Sequence, residues 1–190
     1  MIINYDYHLL GWYRLITELG YFALLLALVL AILQAVFPTL GVIKNQIQWQ
    51  RLAPSLAGAQ FFAMMAAFGG LVAGFLYNDF SLIYVTSHSN SLLPWYYKLS
   101  ATWGGHEGSL LLWITILSAW CMLVSIFSRA LPLDMRARVL AILGMVQTMM
   151  LIMLIFTSSP FDRSLPNLPV DGVDLNPLLQ DPGLIFHPPT

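Results

Sequence analysis

Four stretches of this chain are long and apolar enough to cross a bilayer, and none of them holds a charged residue: Leu19–Phe37, Leu56–Leu76, Ser109–Phe127 and Val139–Phe156. A crossing helix needs about 20 apolar residues at 1.5 Å of rise each. In hydrocarbon every backbone N–H and C=O must be paired within the segment, so stretches of this kind are helical. Pro38 is expected to stop the first span, and Pro54 with Ser55 to open the second. Composition points the same way, with 58% hydrophobic and only 9% charged residues. That is too little charge to cover a soluble domain of this size. A net charge of −1 leaves no basic footprint for nucleic acid. Cys121 is the single cysteine, which excludes an intrachain disulfide and a multi-cysteine zinc site. The N-terminus lacks the basic start and small-residue cleavage site of a signal peptide, so the first span is read as retained. The expected fold is an all-α integral membrane bundle with four transmembrane helices, an outer interfacial loop and an extended Pro-rich tail. Residues 1–156 form the membrane region and residues 157–190 an outward-facing tail.

Lys and Arg set the orientation, because basic loops stay on the cytoplasmic side. Lys44 and Arg51 lie between spans one and two, and Arg129, Arg136 and Arg138 between spans three and four. The opposite side carries Arg14, Lys98 and Arg163, together with Asp6, Glu18, Asp79, Glu107, Asp162, Asp171, Asp174 and Asp181. The N-terminus, the Tyr77–Gly108 loop and the tail are therefore expected outside.

Within the spans, Ala59, Ala63, Ala66, Gly70 and Gly74 recur at helical spacing, a small-residue stripe that allows close helix approach in lipid. Gln34, Gln60 and Gln147 are lone polar groups, each expected to bond a neighbouring helix or face a cavity. Met64, Met65, Met145, Met149, Met150 and Met153 read as gap-fillers.

The outer loop is rich in aromatics. From Pro94, a residue suited to a first helical turn, Trp95, Leu99, Trp103 and His106 fall at spacings of one helical face. Such a face either anchors at the membrane interface or stacks a ligand. Gly104 and Gly105 then permit close backbone approach before His106 and Glu107 at the mouth of span three. His106 is either a metal ligand or proton handler, or part of a polar knot that holds loop to helix. His8 and His88 sit in polar surroundings and carry no further signal. The tail contains Pro160, Pro166, Pro169, Pro177, Pro182, Pro188 and Pro189 among recurring apolar residues, which suggests an extended segment lying on other structure. Pro188 biases His187 toward an extended backbone, so that its imidazole is well placed as an iron ligand.

At these residues a family resemblance becomes visible. Trp103–Trp113, WGGHEGSLLLW, resembles a signature of the CcmF family and its relative NrfE, the cytochrome c maturation proteins of the bacterial inner membrane. The tail segment Asp174–Pro189, DLNPLLQDPGLIFHPP, resembles a second. Leu131–Asp134 and Phe156–Phe161 extend the similarity, which runs from about Leu19 onward. The resemblance implies a haem-handling membrane protein, part of a cytochrome c haem lyase. It implies haem as a transient substrate, taken from the haem chaperone CcmE and attached to the reduced cysteines of apocytochrome c, with CcmH-type thiol proteins as partners. It implies His187 as an axial ligand to haem iron, with His106 and Trp103 as further candidates for haem contact.

Family members are several times longer. Their tryptophan-rich haem segment, their second external histidine and their two membrane-embedded ligands have no counterpart here. The chain thus resembles an N-terminal portion, whether truncated, split or a fragment, and on its own is expected to hold an incomplete haem site. Two other functions compete with haem attachment: a non-catalytic membrane scaffold that docks maturation partners, and a haem transporter component.

Overall fold

The computed structural model describes residues 7–164 and 169–176, with side chains from Arg14 onward. The described residues are helical: α1 (Tyr7–Ile43), α2 (Ile47–Gln50), α3 (Leu52–Leu76), α4 (Ile83–His88), α5 (Trp95–Ala101), α6 (His106–Phe127), a 3-10 turn (Ser128–Ala130) and α7 (Leu133–Thr157). Arg14–Ile43, Ile47–Leu76, His106–Ala130 and Leu133–Thr157 are four segments long and apolar enough to cross a membrane. The only ladder-type pairing among the described residues is an isolated bridge between Leu82 and Arg163.

Pro38 does not stop the first span: α1 runs through it to Ile43. Proline removes one backbone donor, but in a membrane helix side chains and local adjustment re-satisfy the freed groups. The carbonyl left without its donor is that of Gln34, while the next one, of Ala35, accepts the Thr39 hydroxyl at 2.6 Å. The helix ends at Ile43, and Asn45 just beyond it has φ 52°. There Gln46 N–H donates to the Gly41 carbonyl at 2.8 Å and Asn45 N–H to the Val42 carbonyl at 3.3 Å. This is a Schellman end with asparagine in the left-handed position. Asn78, with φ 57°, closes α3 in the same way through Asp79 N–H to Gly74 and Asn78 N–H to Phe75.

The chain divides into two compact units. The first comprises the residues up to Phe22, Ala67–Leu112 and those from Ser158. Within it, a Cβ added to Gly70 would lie 2.7 Å from the Gly20 Cα, so the two glycines let α1 and α3 meet backbone to backbone. The second comprises Ala23–Ala66 and Trp113–Thr157. Its core includes Ala53, Ala57, Cys121 and Leu140, with Val124 and Leu143 packed against them. Gly144 faces Gln34 and Ala35, where a Cβ would lie 3.0 Å from the Ala35 nitrogen.

The buried face of α3 includes Ala53, Ala57, Gln60, Met64, Ala67, Leu71 and Phe75, with Ala63, Gly70 and Gly74 beside it. Ala59 and Ala66 are exposed, so two of the five small residues of the stripe point away from the core, while Ala63, Gly70 and Gly74 are buried. Burial repeats at spacings of three and four residues, and Ala59 falls outside that phase. Of the three glutamines, Gln34 donates to the Leu140 carbonyl at 2.8 Å and to the Cys121 sulfur at 3.1 Å. Gln60 and Gln147 are fully buried, and no hydrogen-bond partner is found for either side chain among the described residues.

Candidate functional site

Tyr84 organises the outer loop. It sits on the short helix α4, is 3% exposed, and packs edge-on against Phe75 with ring centroids 5.4 Å apart. Its hydroxyl accepts the Gly105 N–H at 3.0 Å and lies 3.1 Å from the Thr102 carbonyl and 3.3 Å from that of Ala101, both acceptors for its proton. Burial pushes this hydroxyl far above the ordinary tyrosine range, so it remains a neutral donor and acceptor. The glycines of the Trp103–Gly108 segment permit this approach. A Cβ on Gly105 would lie 2.7 Å from Tyr84 Cε2 and 2.7 Å from His88 Nε2. One on Gly108 would lie 1.7 Å from the Thr102 carbonyl oxygen.

Trp95, Leu99, Trp103 and His106 do not share one helical face. α5 ends at Ala101, a turn follows over Thr102–Gly105, and α6 starts afresh at His106. The reason is the close packing of Gly105 and Gly108 on Tyr84, which a continuous helix could not make. Trp103 is half-buried, and its carbonyl accepts the Ser109 hydroxyl at 2.6 Å. His106 is exposed as the first residue of α6. Glu107, in the same first turn, complements the positive end of the helix dipole.

Lys98 does not reach for solvent or lipid headgroups. It is 6% exposed, and its Nζ donates to Asn78 Oδ1 at 2.7 Å. Burial lowers its pKa, partly opposed by the Asp171 carboxylate. The large hydrophobic residues exposed over Leu92–Ala101 are Leu92, Trp95 and Tyr96.

The sequence reading missed His88. Its ring lies 4.6 Å from that of Tyr84, and Nδ1 is 3.0 Å from both the Tyr84 carbonyl and the Ser87 hydroxyl. Nε2 faces Gly105. The contacts with Tyr84 and Ser87 lie within α4, whereas the approach to Gly105 joins separate elements of the loop and has no mark in the local sequence.

The start of the tail is docked on this platform. Ile83 N–H donates to the Asp162 carbonyl at 2.9 Å and Ser164 N–H to that of Ser81 at 3.0 Å. Further on, Val173 N–H donates to the Thr86 carbonyl at 2.7 Å. Gly172 fits against Ser89, whose carbonyl oxygen would be 1.9 Å from an added Cβ. The Asp171 carboxylate accepts from the Ser91 N–H at 2.9 Å and its hydroxyl at 2.7 Å, and these bonds lower its pKa. Asn90 donates to the Asp174 carboxylate. Leu175 is 1% exposed. His187 lies outside the described residues, as does most of the proline-rich stretch around it. Among the described residues no three His, Cys, Asp or Glu side chains come together as a metal-binding group.

The sequence model of the family described as cytochrome C assembly protein matches residues 103–190. The CcmF protein of Pseudomonas aeruginosa, a cytochrome c-type biogenesis protein, is 57% identical over 175 residues, covering 92% of this chain and 27% of that protein. The CcmF protein of Escherichia coli is 50% identical over 175 residues, with 92% and 27% covered. A solved structure, of the cytochrome c haem lyase CcmF, superposes with a TM-score of 0.72 at 29% identity, covering 77% of this chain and 25% of that one. The chain thus spans about a quarter of the length of the relatives it matches. It belongs to the CcmF family of cytochrome c-type biogenesis proteins.

Proposed function

We propose that this chain forms the haem-handling outer portion of a cytochrome c haem lyase, with haem as the substrate and apocytochrome c as the acceptor. The observation that carries the reading is the docking of the tail. Residues 171–174 are bonded to Thr86, Asn90 and Ser91, beside the Tyr84–Gly105 junction. The segment that leads to His187 therefore starts from the platform that presents Trp103 and His106.

In this reading the neutral imidazole of His187 coordinates haem iron. Trp103 offers an aromatic face to the porphyrin, and His106, exposed at the start of α6, serves as a second iron ligand or a proton handler. The bond-forming step adds a cysteine S–H across a haem vinyl group, sulfur to one carbon and hydrogen to the other, with no net oxidation. The chain contributes position, by holding the macrocycle where thiols reach its vinyl carbons. CcmE supplies haem, and CcmH-type thiol proteins keep the acceptor cysteines reduced. The remainder of the family-length protein completes the ligand set. Residues 1–156 form the membrane region and residues 157–190 the outer tail. The protein resides in the bacterial inner membrane, with the N-terminus and tail on the periplasmic face and the loops bearing Lys44, Arg51, Arg129, Arg136 and Arg138 in the cytoplasm.

The test uses the family-length protein in a cell that reports covalent cytochrome c by haem stain. His187→Gly abolishes attachment, and added imidazole restores part of it by filling the vacated coordination position. The absorption spectrum of the purified variant loses the wild-type iron ligation and regains it with imidazole. Wild-type attachment by His187→Ala would overturn the ligand assignment and favour the docking scaffold.

A further inference from the structure

The first unit has a cleft of about 330 Å³ at the outer turns of α1, lined by Thr17, Glu18, Tyr21, Phe22, Leu82, Phe161, Asp162 and Arg163. Its size falls at the lower end of small-ligand sites, roughly 300–1,000 Å³. One end is charged, with Arg163, Glu18 and Asp162, and the other is aromatic, with Tyr21, Phe22 and Phe161.

Arg163 is held in place from behind. Nη1 donates to the Ser81 hydroxyl at 3.2 Å, and Nη2 lies 3.5 Å from the Thr17 hydroxyl. Those two hydroxyls donate in turn to the two oxygens of the buried Asp79 carboxylate, at 2.6 and 2.7 Å. The guanidinium carries five donors in a fixed fork, so a head fixed by two hydroxyls keeps donors for a further acceptor. Glu18 sits 3.5 Å from Nη2, with half of its side chain exposed. Beside them Phe22 is 63% exposed.

The location selects the occupant. Thr17–Phe22 lie in the first turns of a segment long and apolar enough to cross a membrane, so the solvent at this cleft is the boundary between lipid headgroups and acyl chains. Aromatic residues favour that depth. We propose that the cleft binds the headgroup of a zwitterionic phospholipid of the phosphatidylethanolamine class, its phosphate on Arg163, its ammonium on Glu18 and Asp162, and its acyl chains along Tyr21 and Phe22. One cation and two carboxylates line the cleft. A lipid carrying both signs satisfies them, whereas an anionic lipid meets Glu18 and Asp162 as like charges. The site is independent of haem handling.

The test is native mass spectrometry of the full 190-residue chain in detergent, titrated with phosphatidylethanolamine or phosphatidylglycerol of the same acyl composition. Wild type retains phosphatidylethanolamine in preference. Glu18→Gln lowers that preference by up to about fivefold, the range of a partly exposed ion pair, and leaves phosphatidylglycerol binding the same or stronger. Arg163→Gln weakens both lipids. Soluble phosphoethanolamine, lacking acyl chains, does not displace the lipid at equal concentration. Because Arg163 also bonds Ser81 and Thr17, Glu18→Gln is the decisive variant: it touches only the ion pair. A wild type that binds phosphatidylglycerol as well or better, or a preference unchanged in Glu18→Gln, overturns the proposal and leaves only annular lipid.

Discussion

The hydroxyl of Tyr84 accepts the backbone N–H of Gly105 at 3.0 Å, joining a helix of the outer loop to the turn that opens α6. With the ring buried, the bond replaces water for a backbone donor that has no helical partner at that point.

Tyr84→Phe keeps the packing on Phe75 but leaves the Gly105 N–H without its acceptor. The expected loss is about 1–3 kcal/mol, the cost of an unsatisfied buried donor, read as a lower thermal midpoint in detergent. The pH dependence follows from the raised pKa. Unfolded tyrosine ionises near pH 10, while the buried hydroxyl stays protonated. Its contribution is full below about pH 10 and is lost as pH climbs above that value. Wild-type stability therefore falls more steeply above about pH 10 than that of Tyr84→Phe. Parallel alkaline curves would exclude this role.

Gly108→Ala places a methyl 1.7 Å from the Thr102 carbonyl, which is backbone and cannot swing away. The expected outcome is loss of more than about 3 kcal/mol or failure to fold, since overpacking against rigid backbone is at the severe end of its usual range. Gly58 is the control, with nothing within 4 Å of an added Cβ. Gly58→Ala should stabilise by roughly 0.5–1 kcal/mol through lower chain entropy in α3. Equal midpoints for both variants would refute the packing argument.

Gln34 and Gln147 are both buried polar groups of the second unit, but only Gln34 reaches a carbonyl on another helix. Gln34→Leu should cost about 0.6–1.7 kcal/mol, the usual range for hydrogen bonds between membrane helices. Gln147→Leu removes a buried amide without a partner and should leave the midpoint unchanged or raise it. A drop in the Gln147 variant comparable to that of Gln34 would mean that its amide has found a partner outside the described residues.

The membrane orientation read from Lys and Arg is checked by thiol labelling in a Cys121→Ser background. Asn45 holds a left-handed helix end, and Asn90 and Asp174 bond each other, so exposed positions without such duties serve better. Cysteine at Leu92 and Val170 should react with an impermeant reagent from the periplasmic side. Cysteine at Gln48 and Met135 should react only after permeabilisation. The reverse pattern would invert the topology.

The four crossing segments are legible in the sequence because the signal is compositional: a run of apolar residues without charge has one stable state in lipid. The exposed position of His106 and the need for close approach at Gly105 are legible only in outline. Spacing suggests one long helical face from Trp95 to His106, and tertiary packing on Tyr84 breaks it into a helix, a turn and a new helix. Pro38 reads as a stop, yet helix α1 continues through it, since one lost backbone bond is small against the cost of exposing the remaining groups to hydrocarbon. What the linear chain could not reveal is the assignment of long-range partners. Lys98 on Asn78, His88 against Gly105, Val173 on Thr86 and the Arg163–Ser81–Asp79 relay join residues far apart in sequence. Each is a choice among many polar groups of similar chemistry. Local pattern determines which residues prefer a helix or lipid, while only the folded arrangement decides which donor meets which acceptor.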